Sequence, residues 1–271
     1  MNVAEDSVDP IGGNTDDLQS MDNAIVALAE EAERDSSPEE TTSVEAPSSS
    51  WVWLLVGLLA GLFALVVTQV VLSEFQAPLP EEYSELNTGD PYAPRSPEAK
   101  AMEVANWSMN HGRLLYSLGA TMAIIFGWAT GVLNQRIIRG LLGALAGILV
   151  ALGLGMLLSP AVSDLQSTVI TSRQNTDLYG MSLHAFQWAI IGLPIAAAIG
   201  IGTGRPMSSL KVVGAVALAA LFGGIVYVIG GSLLDPGARL SYARPADGKL
   251  FYLWHLVPPL LCGLFLSRSK L

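Results

Sequence analysis

Charge is the first thing this chain lacks: 14% of its 271 residues are Asp, Glu, Lys or Arg, where a soluble domain carries about 25%. Basic residues are the scarcer sign. The 14 Lys and Arg against 24 Asp and Glu leave a net charge of −10, which excludes a basic nucleic-acid-binding face, so no nucleic acid is expected as a partner. Cysteine is nearly missing as well. Cys262 stands alone, so no disulfide framework holds the fold. What charge there is sits at one end: residues 1–50 hold 13 acidic residues and one basic residue, Arg34, while residues 51–271 hold 11 acidic and 13 basic.

Long apolar runs fill the remainder. Crossing a hydrocarbon core takes about 20 apolar residues at about 1.5 Å each, and six stretches qualify: 51–73, 113–134, 140–158, 185–204, 212–234 and 250–267. Trp51 and Trp53 open the first, and Phe251, Tyr252 and Trp254 open the last, as interfacial aromatic belts do. In lipid a helix satisfies its own backbone hydrogen bonds, so the expected fold is all-α, a six-span transmembrane bundle occupying residues 51–271 with the lipid bilayer as its partner.

The first 50 residues are acidic and dotted with Ser, Pro and Gly, the composition of a disordered tail. Leu18, Met21, Ile25 and Leu28 recur there at helical spacing beside Glu30, Glu31 and Glu33. That is the pattern of a solvated helix or of a segment that folds against a protein partner. No basic region precedes the first apolar run, so the start does not read as a signal peptide.

Arginine and lysine set the expected orientation. Arg136, Arg139, Arg205 and Lys211 crowd two very short turns, whereas the basic residues of the other face are spread through long loops. Density of positive charge therefore places both termini in the cytoplasm, with a bacterial inner membrane as the expected setting for a multi-pass chain. The loop 74–112 then lies outside. Within it Ser96-Pro97-Glu98 reads as an N-cap, a first-turn proline and a first-turn acid, so a helix from about residue 97 leads into the second span. Asn106-Trp107-Ser108 matches the glycosylation sequon, a pattern that chance supplies often beside a membrane.

The chain also resembles itself. Residues 111–131 laid over 184–204 match at His111 on His184, Gly119 on Gly192, Ala123 on Ala196, Gly127 on Gly200, Thr130 on Thr203 and Gly131 on Gly204. Residues 140–160 laid over 216–236 match best at their end, Gly155-Met-Leu-Leu-Ser-Pro160 over Gly231-Ser-Leu-Leu-Asp-Pro236. A parallel duplication of a two-helix hairpin, units 111–160 and 184–236, is the expectation, with three extra residues in the second turn. His255 and Gly263 repeat the spacing of His111 and Gly119, as a truncated third copy would. Each matched helix carries small residues four apart, which share one face: Gly119, Ala123, Gly127 and Gly131, then Gly192, Ala196, Gly200 and Gly204. Helices in lipid associate through close backbone approach, so these are candidate packing positions.

Candidate chemistry is thin. His111, His184 and His255 each open an even-numbered span and so share one membrane face, where three imidazoles are a candidate metal site. No carboxylate lies close in sequence to complete a ligand set. The spans contain no acid for a protease or an ion relay, and no Ser–His pairing for a nucleophile. The sequence therefore points to a non-enzymatic scaffold or assembly partner without a cofactor. A channel or permease for a small solute or metal ion, built on the repeat and on Pro194, Pro258 and Pro259, is the competing expectation.

Overall fold

Apolar runs of this length leave the backbone one way to satisfy itself away from water, and the chain takes it: the described residues are helical and contain no strand. The computed structural model describes residues 50–79, 81, 83, 96–171, 176–204, 206–236, 240 and 248–268. All of them lie in one unit, Ser48–Leu271. The tail expected over residues 1–50, with its helix-spaced apolar positions, falls outside the described residues apart from Ser50. The helices are α1 (Ser50–Glu74), α2 (Pro97–Leu133), α3 (Ile137–Thr171), α4 (Thr176–Thr203), α5 (Pro206–Leu234) and α6 (Lys249–Arg268). All six are long and apolar enough to cross a membrane.

Local chemistry sets several boundaries. Ser96 caps α2 in an extended conformation, and its side chain accepts from the Ala99 N–H at 3.1 Å with Pro97 in the first turn. At the far end Gln135 takes φ 55, and the Arg136 N–H returns to the Gly131 carbonyl at 2.7 Å. That closes a tight turn into α3. Gly204, at φ +66, ends α4 before Pro206 opens α5.

The helices form a closed circuit. α1 packs on α6 and α2, α6 on α5, α5 on α4, and α4 on both α3 and α2, which form a hairpin. α4 is the most enclosed, with 67% of its apolar window buried against 28% for α3. Trp188, Trp254, Phe126, Met122, Leu118 and Ile195 fill the centre. Leu141, Leu145, Leu149, Leu152 and Met156 face outward from α3, the surface a helix presents to lipid tails.

Two expectations differ from what forms. The helix of the third span does not end at Pro160: α3 runs through that proline to Thr171, whereas Asp235 and Pro236 do follow the end of α5. Asp164 is accordingly an exposed position one turn beyond Pro160 inside α3. Nor does the second turn hold three extra residues. α4 and α5 are separated by two residues and α2 and α3 by three. The hairpins accordingly pack in different registers. A Cβ on Gly127 would meet Ala144 at 2.9 Å, but Ala220, the counterpart of Ala144, faces Gly192 rather than Gly200, about two turns away.

Candidate functional site

Small residues close the middle of the bundle. A Cβ on Gly119 would lie 3.0 Å from Ala151 and 3.1 Å from the Pro194 ring, and one on Gly131 would lie 2.8 Å from Gly140. A Cβ on Gly192 would lie 2.7 Å from Ala220 and one on Gly147 2.5 Å from Ala123, and Ala196 is fully buried. Gly200 is buried and its carbonyl accepts from Thr203 Oγ1 at 3.0 Å, while Gly204 packs against the Arg139 guanidinium in the turn. The prolines occupy matching notches. Pro258 sits 2.5 Å from a Cβ placed on Gly223. His255, whose carbonyl loses its helical donor because residue 259 is proline, aims that oxygen at Gly61, 2.9 Å from a Cβ there.

The three histidines separate into two settings. His184 is fully buried on α4; its Nε2–H donates to the Leu240 carbonyl at 3.2 Å, and its Nδ1 accepts from Trp254 Nε1 at 3.1 Å. A carbonyl only accepts and an indole N–H only donates, so this imidazole is neutral with a fixed tautomer. His255, on α6, has the opposite tautomer. Nδ1–H donates to the Phe251 carbonyl at 2.7 Å, and Nε2 accepts from the Thr68 hydroxyl of α1 at 2.8 Å. Trp254 lies between the two, its ring centroid 6.5 Å from that of His184 and 4.7 Å from that of His255. His111 belongs elsewhere: half-buried on α2, it places Nδ1 3.0 Å from Ser163 Oγ of α3. Among the described residues no three His, Cys, Asp or Glu side chains gather as metal ligands do.

The histidine pair is thus a buried tie joining α1, α4, α6 and the segment at Leu240. Tyr227 of α5 packs edge-on to His184 at 4.7 Å, and Trp188 lies 5.1 Å from Trp254. Beside His184, the Gln187 amide is fully buried and makes no hydrogen bond of normal geometry, and neither does the Trp188 indole N–H.

Polar chemistry concentrates at the other setting, where α2 leaves its span. Asn106, Asn110 and Arg113 recur at helical spacing and hold the chain as it exits α1. Asn106 Nδ2 donates to the carbonyls of Ala77 at 3.0 Å and Pro78 at 2.9 Å. Asn110 Oδ1 accepts from the Ala77 N–H at 2.8 Å, and Arg113 donates to the Phe75 carbonyl. Toward α3, Ser108 meets Ser159 at 3.3 Å beside the His111–Ser163 contact. The sequence showed Asn106 only as part of a sequon. Its side-chain nitrogen, the atom a glycan would take, is buried and committed to two carbonyls; the spacing to Asn110 and Arg113 was the signal that it faces a neighbour.

Two openings flank this end. One of about 600 Å³ lies between the last turn of α1 and α2, lined in part by Ser73, Gln76, Glu103, Trp107 and His111. The other, of about 590 Å³, is a shallow groove between α2 and α3 bordered by Lys100, Val104, Pro160 and Asp164. Comparison with known proteins places no outside label on either feature: no family model, curated protein or solved structure matches the chain.

Proposed function

We propose that this six-helix membrane chain is a non-enzymatic scaffold or assembly partner, one that presents the α2–α3 end to another protein. The observation that carries the reading is length. α2 has 37 residues and α3 has 35, about 55 and 52 Å at 1.5 Å per residue, against a hydrocarbon core of about 30 Å. Their shared turn aligns them at one face, so the excess of both projects from the other. There the His111–Ser163, Ser108–Ser159 and Asn106 contacts hold it rigid. Close backbone approach at Gly119, Gly143, Gly147 and Gly192 supports this reading over a channel or permease.

The finer assignments belong to the same proposal. Arg136, Arg139 and Lys211 crowd the short-turn side, which reads as the cytoplasmic face of a bacterial inner membrane with both termini on it. The acidic residues 1–50 then offer a second, cytoplasmic contact for a protein partner. α4–α5 is read as a copy of α2–α3 whose packing register has slid. The test is quantitative co-purification from the native membrane, with photo-crosslinkers at Lys100 and Asp164 and a parallel deletion of residues 1–49. One identified protein, crosslinked at the projection and depleted by the deletion, is the expected result. A chain that purifies alone in every form, with no crosslinked species, overturns the proposal.

A further inference from the structure

Two arginines at the turn between α2 and α3 have no counter-charge among the described residues. Residues 134–136 join the two helices, and both helices are long and apolar enough to cross a membrane. A turn this short between two spans stands at the headgroup level of whichever leaflet it meets. Arg136 and Arg139 are both exposed there, and neither guanidinium joins an ion pair or a hydrogen bond among the described residues. Glu98 and Glu103 stand toward the other end of α2, Asp164 toward the other end of α3, and Asp235 beyond the other end of α5. Glu103 comes 30 residues before Leu133 and Asp164 comes 25 residues after Arg139, about 45 and 38 Å along a helix. Exposed charges so far apart are screened at physiological salt, where the Debye length is about 8 Å.

Packing fixes where the positive charge sits. Gly204 ends α4 at φ +66, and a Cβ there would run into Arg139 Nη1 and lie 3.0 Å from its Cζ. The Arg139 side chain therefore lies across bare backbone, at the seam where the α2–α3 turn meets the α4–α5 turn. Arg136 is three residues away, within one helical turn, and its carbonyl accepts from the Gly140 N–H at 3.0 Å. Its backbone is thus committed to α3 while its side chain is not. Below the pair, α3 turns Leu142, Leu145 and Leu149 outward, apolar surface for acyl chains. A guanidinium fork matches two phosphate oxygens. A headgroup that also carried an ammonium would bring a cation to a patch that is already positive, so a net negative headgroup fits better.

We infer that Arg136 and Arg139 hold the phosphate of an anionic phospholipid at the α2–α3 turn, with Gly204 as the seat that positions the Arg139 fork. The inference goes beyond the scaffold reading and holds for whichever side of the membrane the turn occupies.

Native mass spectrometry of the full chain supplies the test, using dioleoylphosphatidylglycerol against dioleoylphosphatidylethanolamine at equal concentration. A preference for the glycerol lipid is expected. Arg136→Gln or Arg139→Gln alone should reduce it about fivefold, and the two together about twentyfold. Arg139→Lys, which keeps the charge but loses the fork, should reduce it about twofold. Gly204→Ala removes no charge and should still weaken the preference, because the added methyl displaces Arg139. Arg268→Gln, at the end of α6, should leave it unchanged. Equal binding of the two lipids overturns the inference, as does a loss in Arg268→Gln as large as that in Arg139→Gln. So does an unchanged preference in the double variant when it melts at the wild-type temperature. Displacement of the lipid by inorganic phosphate, at an ionic strength matched with chloride, would assign a soluble anion and overturn the lipid site. Arg136→Gln, outside the packed seam, decides the matter where the Arg139 variants fail to fold.

Discussion

Gln187 sits beside His184 without a hydrogen bond of normal geometry. Its amide is fully buried beside His184, yet neither its nitrogen nor its oxygen finds a partner of normal geometry. A buried amide whose hydrogen bonds are poorly formed costs more than the leucine that fills the same space. Replacing Gln187 with Leu should therefore raise stability by about 1–3 kcal/mol, read from denaturation in detergent; a loss of stability would show that the amide is bound in the membrane. Glycines divide in the same residue-by-residue way. A Cβ at Gly143 would run into the Ala198 carbonyl, whereas one at Gly153 would meet nothing within 4 Å. Gly143→Ala should cost about 1–3 kcal/mol, while Gly153→Ala should be neutral or gain up to about 1 kcal/mol from helix propensity. Equal effects at the two positions would contradict the packing described for α3 and α4.

At the scale of the helix, α2 shows what sequence could and could not convey. Ser96-Pro97-Glu98 announced its start because a cap is a local contact, complete within four residues. Ser96→Ala should cost about 1 kcal/mol and speed amide exchange at residues 99 and 100 by about fivefold, with no change at residue 115. The six apolar runs were legible for the same reason, since length and composition are properties of the segment itself. The end of α3 was not. Pro160 reads as a stop signal, but a proline in a helix forfeits one hydrogen bond and can be carried by neighbours, here through the Ser108–Ser159 and His111–Ser163 contacts on either side of it. Shared Leu-Leu-x-Pro endings therefore concealed two different fates. Hairpin register was equally hidden, because glycines four apart offer several nearly equivalent alignments and only the partner helix selects one. The histidines showed their common depth in sequence; that Trp254 and Thr68 claim the ring nitrogens of two of them depended on contacts across 70 and 187 residues of chain.

For the whole molecule, the proposal rests on one geometric statement: the six apolar helices alternate in direction across the membrane, which would gather the short turns on one side and raise the α2–α3 projection on the other. In that arrangement the buried tie at His184 and His255 and the clasp on the α1 exit lie toward the second side. Labelling in sealed vesicles examines this directly. Single cysteines at Gln135, Gly204, Leu79 and Asp235, each exposed in the structure, would be treated with a membrane-impermeant maleimide; native Cys262 is buried and contributes little background. The account predicts that 135 and 204 react together from one side, and 79 and 235 together from the other. Reaction of 135 and 235 from the same side of an intact vesicle would contradict it.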